Sequence, residues 1–228
     1  MKSRGEAYGQ MSAGGGGKGS STSVKDAIAA FERNTGVAAE EAERVELYGQ
    51  CPPIEKLDNS LAQLKSCKHL ALSTNAIHSL TGLPTLESVT TLSIGRNLIS
   101  RLDGVDALSS SLEQLWASYN NLGSLAGIEK LTSLKVLFVS NNKLNSWKEI
   151  DRLKALSSSL EDLLLVGNPI YDHHAKADST LHPSTRGSPY RQEVLKRLPH
   201  LRRLDGFDVN SVEGDILPEG TNTLPEGE

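Results

Sequence analysis

His173 and His174, with Asp172 before them and His182 further on, are the side chains best suited by type to hold a metal ion. Adjacent histidines tend to point apart, however, and no Cys or Glu completes a defined ligand spacing around them. A metal-dependent hydrolase built on these histidines therefore stands only as a remote alternative. Cys51 and Cys67 form neither a disulfide framework nor a zinc set and read as small buried apolar residues. No G-x-S-x-G elbow, Gly-rich phosphate loop ending in Lys-Ser/Thr or H-E-x-x-H pair occurs. The sequence implies no cofactor, no catalytic residue and no small-molecule substrate. The residues with chemistry left to offer are the aromatic Trp116 and Phe138, which suit binding.

What positions them is a periodic phrase, L-x-x-L-x-L-x-x-N-x-I. Its copies begin at Cys67, Val89, Leu112, Leu134 and Leu160, and a weaker opening copy holds Val45 and Leu47. The asparagines at 75, 97, 120, 142 and 168 are separated by 22, 23, 22 and 26 residues. That is the leucine-rich-repeat spacing, and it predicts an α/β solenoid with a parallel sheet on one face and helical caps at both ends. The fourth and sixth slots should point into a shared core. The asparagine at the ninth can use its amide and carbonyl to satisfy backbone groups at the turn that follows. Phrases beginning at Gly82, Gly104 and Gly127 fit the return segments.

Odd strand positions then face outward. The fifth slots are Ala71, Ser93, Trp116, Phe138 and Leu164; the third are His69, Thr91, Gln114, Val136 and Asp162; the eighth include Arg96, Tyr119 and Asn141. Trp116, Phe138 and Leu164 fall on consecutive rungs roughly 5 Å apart, an apolar ridge on an open surface. We take the ridge, flanked by Arg96, Tyr119, Val136, Ala71 and His69, as a protein-binding surface. A basic cluster of Arg202, Arg203 and Arg197, with Lys196 and Arg191, would lie on the far cap and could meet an acidic partner such as tubulin.

The ends frame this domain. Residues 1–22 carry Gly14-Gly15-Gly16-Gly17 and read as a disordered tail. Residues 23–208 form the repeat domain. Ser23 should cap a helix whose Val24, Ala27, Ile28 and Phe31 recur at helical spacing until Gly36, and a second short helical stretch is expected over Ala38 to Arg44. After Pro169 a polar loop intervenes before the capping unit of Tyr190, Val194, Leu195 and Leu198, and residues 209–228 read as an acidic flexible tail. With 24 Lys+Arg against 28 Asp+Glu, the 228-residue chain lacks the general basic charge that draws proteins to nucleic acid. No run is apolar enough to span a membrane, and a cytoplasmic location is the default.

Whole phrases are more specific than the register. VELYGQCPPIEKLD, LKSCKHLALSTNAI, SIGRNLI, SLEQLWASYN, LFVSNNKLNSWKEID, EDLLLVGNPIY and YRQEVLKRLPHLRRLDG together resemble the leucine-rich-repeat light chain 1 family of outer-arm axonemal dynein, from about Val24 to Gly206. The resemblance implies a non-catalytic subunit of the ciliary or flagellar axoneme. Such a subunit binds an axonemal dynein heavy chain at or near the microtubule-binding stalk tip and regulates motility. It also implies that the apolar sheet face, with Trp116 and Phe138 in matching places, holds the heavy chain. The Gly-rich extension and the longer loop over 171–189 depart from the family. So does the end of the chain, where Gly214, Pro218, Gly220 and Pro225 replace a charged helix. Another leucine-rich-repeat adaptor, a phosphatase regulator or a spliceosomal subunit, is the alternative.

Overall fold

The computed structural model describes residues 21–171 and 188–210. The expectations for the Gly-rich segment, the histidine loop and the acidic tail fall on residues 1–20, 172–187 and 211–228, outside that description. Helix α1 (Val24–Thr35) opens the structure. The Ser23 hydroxyl accepts a hydrogen bond from the Asp26 N–H at 3.1 Å, and Gly36 closes the helix in a left-handed conformation, donating to Glu32 O. Val24, Ala27 and Ile28 turn inward and seal the first end of the core.

The expected second helix does not form. Residues 38–42 make one turn, held by Ala42 N–H to Ala38 O and by the Ala39 N–H, which donates to the Glu32 carboxylate at 2.8 Å. The chain then enters strand β1 (Arg44–Glu46), because pairing with the next rung satisfies more backbone than an isolated second helical turn could. Cys67 is buried as expected, with its thiol pushed up to about 11 by burial, but Cys51 is exposed. Cys51 precedes Pro52 and Pro53 on the bend leaving β1, outside the inward slots.

Strands β2 (His69–Ala71), β3 (Thr91–Ser93), β4 (Gln114–Trp116), β5 (Val136–Phe138), β6 (Asp162–Leu164) and β7 (Arg203–Leu204) follow β1 in parallel, each paired only to its sequence neighbours. β8 (Phe207–Asp208) turns back antiparallel on β7. The register puts identical slots side by side: Val45, Leu70, Leu92, Leu115, Leu137, Leu163 and Leu204 form one fully buried column. Leu47, Leu72, Ile94, Ala117, Val139 and Leu165 form a second. The return segments are short 3-10 turns at Asn59–Gln63, Val105–Leu108, Ile128–Lys130 and Leu153–Leu156, plus helix α2 (Trp147–Arg152). At Gly104 the φ of +97° and a Leu80 carbonyl that would lie 2.6 Å from any Cβ both demand glycine.

The asparagines hold the stack together by reaching backward. Asn120 donates to Ile94 O of the preceding rung and Ala117 O of its own, at 2.9 and 3.2 Å, and its Oδ1 accepts from Ile99 N–H at 2.9 Å. Asn75, Asn97, Asn142 and Asn168 repeat the pattern toward Ile54, Ile77, Leu122 and Leu144. The sequence predicted service to the following turn. Parallel stacking instead brings the preceding rung's unpaired N–H within reach.

Helix α3 (Pro189–Arg197) covers the other end. Its Tyr190 is buried and its hydroxyl donates to Asp205 at 2.9 Å, while Leu165 and Val166 N–H groups donate to the other carboxylate oxygen. Burial raises the Asp205 carboxyl above its ordinary range despite these bonds, and burial beside Asp205 raises the Tyr190 hydroxyl. No described helix is long and apolar enough to cross a membrane.

Candidate protein-binding face

The third, fifth and seventh slots of each rung lie on the outer side of the sheet, where Ala71, Thr91, Ser140 and Asp162 are nonetheless buried. Trp116 and Phe138, partly exposed on β4 and β5, stack with ring centroids 6.4 Å apart and planes 17° from parallel. Leu164 on β6 pairs in register with Phe138, so the ridge is continuous over three rungs. Toward the first rungs, Trp116 also meets the edge of the His69 ring, with centroids 5.5 Å apart. It reaches that ring across Ser93, whose small side chain leaves room. The Trp116 Nε1–H is shielded from water and has no acceptor among the described residues.

Desolvation, followed by the neighbouring Arg44, lowers the His69 pKa, while Glu46 opposes the shift. The imidazole is thus biased toward its neutral form where it touches the ridge. Val136 is half-buried beside Gln114 and Asp162. Ala71 shares the face but is only 6% exposed, because a methyl group between taller neighbours offers almost no surface. Its expected contact role shrinks to that of a low point in the floor.

The eighth slots hold a feature that residue types alone did not reveal. Gly49, Thr74, Arg96, Tyr119, Asn141 and Gly167, one on each of six successive rungs, all take positive φ, from 52° to 77°. The left-handed kink turns each strand into its return segment just ahead of the repeat asparagine, and it projects the eighth side chain outward. Arg96 and Tyr119 are both exposed there, and the Arg96 guanidinium lies 4.6 Å from the Tyr119 ring centroid. Between this line and the ridge lie the small seventh-slot residues Gly95, Ser118 and Ser140, the last donating to the Ser118 hydroxyl at 2.9 Å. The signal in the sequence was the residue immediately before each repeat asparagine, legible only once the turn conformation is known.

The basic cap needs correction. The Arg197 guanidinium stacks 4.6 Å from the Trp147 ring centroid and pairs with Glu193 and Asp151, which ties α3 to α2. Arg191 is buried and donates to Leu204 O and Asp208 O. Both were expected on a charged surface, but satisfying carbonyls and carboxylates at the closing end draws them inward. Arg202 and Arg203 remain exposed, paired with Glu161 at 3.2 Å and Asp162 at 3.3 Å. Arg202 ends a column of alternating second-slot charges that includes Lys68 with Glu43 and Lys135 with Glu113. These exposed pairs add little stability, yet they leave that flank nearly neutral.

Among the described residues no three His, Cys, Asp or Glu side chains gather to hold a metal. His173, His174 and His182 lie outside them.

A family model for leucine-rich repeats, in two copies, matches residues 110–155. Dynein axonemal light chain 1 of Chlamydomonas reinhardtii is 52% identical over 189 residues, covering 83% of this chain and 91% of that protein. The Danio rerio protein of the same name is 43% identical over 198 residues, covering 87% and 97%. The Homo sapiens protein is 40% identical over 194 residues, covering 85% and 95%. Among solved structures, a Leptospira interrogans LRR protein aligns with a TM-score of 0.47 and 30% identity over 66% of this chain and 34% of that one.

Proposed function

Because the chain belongs to the axonemal dynein light chain 1 family, we propose that it is a non-catalytic subunit that binds a dynein motor heavy chain through its open sheet face. The observation that carries this reading is the stacked Trp116–Phe138 pair, continued by Leu164. Aromatic side chains bury large area and lose few rotamers, so two on neighbouring rungs make an anchor that a free surface would have no reason to keep. Gln114, Arg96, Tyr119 and His69 surround that anchor as its polar and half-polar rim, and Val136 extends its apolar area.

In this reading the subunit sits in the axoneme of a cilium or flagellum, at or near the microtubule-binding tip of the heavy-chain stalk. It restricts the tip's orientation and so regulates motility. Arg202 and Arg203, the exposed remainder of the basic cap, would face acidic tubulin from the end of the solenoid.

Co-purification from salt-extracted axonemes tests the reading, with wild type compared to a Trp116→Ala, Phe138→Ala double variant whose circular dichroism is unchanged. Wild type should travel with a dynein heavy chain and the double variant should be lost from it. Recovery of both variants with equal heavy chain would remove the sheet face as the interface, and recovery of no heavy chain by wild type would remove the partner.

A further inference from the structure

The first edge of the sheet has no strand beyond it. Among the described residues β1 pairs with β2 alone, and the alternation of the ladder decides which of its main-chain groups that pairing uses. Glu43 O accepts from His69 N–H, and Leu47 N–H donates to Ala71 O, so the even slots of this rung face β2. The N–H and C=O groups of Arg44 and Glu46, on the odd slots, therefore point to the free side. An edge of this kind is a template for another extended segment.

The chain carries a second copy of this rung's phrase. Residues 4–11, RGEAYGQM, repeat residues 44–51, RVELYGQC, at five of eight positions. The matches fall on the third, fifth, seventh, eighth and ninth slots, which face outward or make the turn. Gly9 supplies the residue that the left-handed turn uses at Gly49, where φ is +61°. Two of the differences fall on the inward slots, Gly5 for Val45 and Ala7 for Leu47. That is the change an end strand needs. Val24, Ala27 and Ile28 of α1 already close the core at this end, so one more rung has little space for large inward side chains.

The described chain also starts where such a strand would hand over to it. Thr22 N–H donates to Pro53 O at 3.2 Å, just past the end of β1. Residues 12–21 can span about 33 Å at roughly 3.3 Å per residue, whereas the gap is one or two rung spacings of about 4.8 Å each.

We infer that residues 3–7 pair in parallel along the free edge of β1 as a further strand of the same chain, closing an edge that a foreign strand could otherwise join. By the alternation of the ladder, Gly5 N–H donates to Arg44 O and Ala7 N–H to Glu46 O. The Arg44 and Glu46 N–H groups donate in turn to Ser3 O and Gly5 O. Arg44 and Glu46 form their own ion pair at 2.6 Å, and Arg4 with Glu6 repeats it, so neutral pairs rather than bare like charges lie side by side. Tyr8 then comes one rung from Tyr48, which is 48% exposed.

Amide exchange followed residue by residue by NMR on the full chain tests this. The Arg44 and Glu46 amides should exchange at least tenfold faster in a Gly5→Pro, Ala7→Pro double variant than in wild type, because both donors facing β1 are gone. Glu6→Pro is the control: the Glu6 N–H points away from β1, so both rates should stay within about threefold of wild type. The Leu115 amide in the sheet interior should be unchanged in both variants. Equal Arg44 and Glu46 rates in wild type and the double variant would overturn the strand, and so would equal acceleration by Glu6→Pro. Protection that grows with protein concentration, alongside a dimer in sedimentation, would also overturn it, since the segment would then come from a second copy.

Discussion

Replacing Asn120 with aspartate exchanges one NH2 for one oxygen without changing shape, so its effect isolates the ladder's donor half. In the native chain Nδ2 gives hydrogen bonds to Ile94 O and Ala117 O, while Oδ1 takes the Ile99 N–H, at a site only 5% exposed. In the variant the Ile99 contact survives, but the second carboxylate oxygen faces two carbonyl oxygens. Two lost hydrogen bonds cost about 2 kcal/mol. An unpaired buried carboxylate adds more: a pKa raised by about 3 units corresponds to about 4 kcal/mol of further destabilisation at neutral pH. The sum, about 6 kcal/mol, rivals the whole stability of many domains. The sign with pH follows from the raised folded-state pKa. Below the unfolded value of about 3.9 the group is protonated in both states and can donate to one carbonyl, so the charge penalty is absent; it grows as pH rises and levels off above the folded pKa. Urea unfolding followed by circular dichroism, for wild type and variant between about pH 4 and pH 8, measures the difference directly. Asn120→Ala should cost about 3 kcal/mol with little pH dependence, since it removes the hydrogen bonds without adding charge. A wild-type-minus-Asp difference that stays flat with pH, or that remains under about 1 kcal/mol, would refute the claim that this amide is a buried inter-rung bond.

Two further outcomes follow from local geometry. Thr74, β-branched and exposed at φ 56°, occupies a left-handed slot that Asn141 fills three rungs along; Thr74→Asn should raise stability by about 0.5–1 kcal/mol, seen as a higher midpoint in thermal unfolding. Glu149 is nearly buried, which by itself raises its pKa, yet bonds from Leu125 N–H, Ser124 Oγ–H and Arg152 Nε–H outweigh burial and hold it below its usual value. That stability is present above the unfolded pKa and lost as pH falls through the folded one, so Glu149→Gln should cost about 2 kcal/mol near neutrality, with the gap closing in acid when the two urea curves are compared.

The solenoid was legible because its signal is redundant: every inward column repeats the same apolar type at the same slot, and a parallel stack has one register that buries them all. The ridge was legible for the same reason, since outward slots follow from inward ones. The misreadings fall where repetition stops. Ala38 to Arg44 carries helical residues but borders the first strand, and pairing with β2 outweighs local propensity. Arg191 and Arg197 look like surface charges in a list of residues, yet the closing end offers them Leu204 O, Asp208 O, the Trp147 ring and Asp151.

By itself, then, the sequence determined the repeat, its inward columns and the family to which the chain belongs, because these depend on residue type and spacing alone. Tertiary structure decided how the open face is shaped. The left-handed line at Thr74, Arg96, Tyr119 and Asn141, the lean of Trp116 across Ser93 onto His69 and the small floor between them arise only when rungs are stacked, since each depends on contacts or backbone turns between residues some 20 or more positions apart.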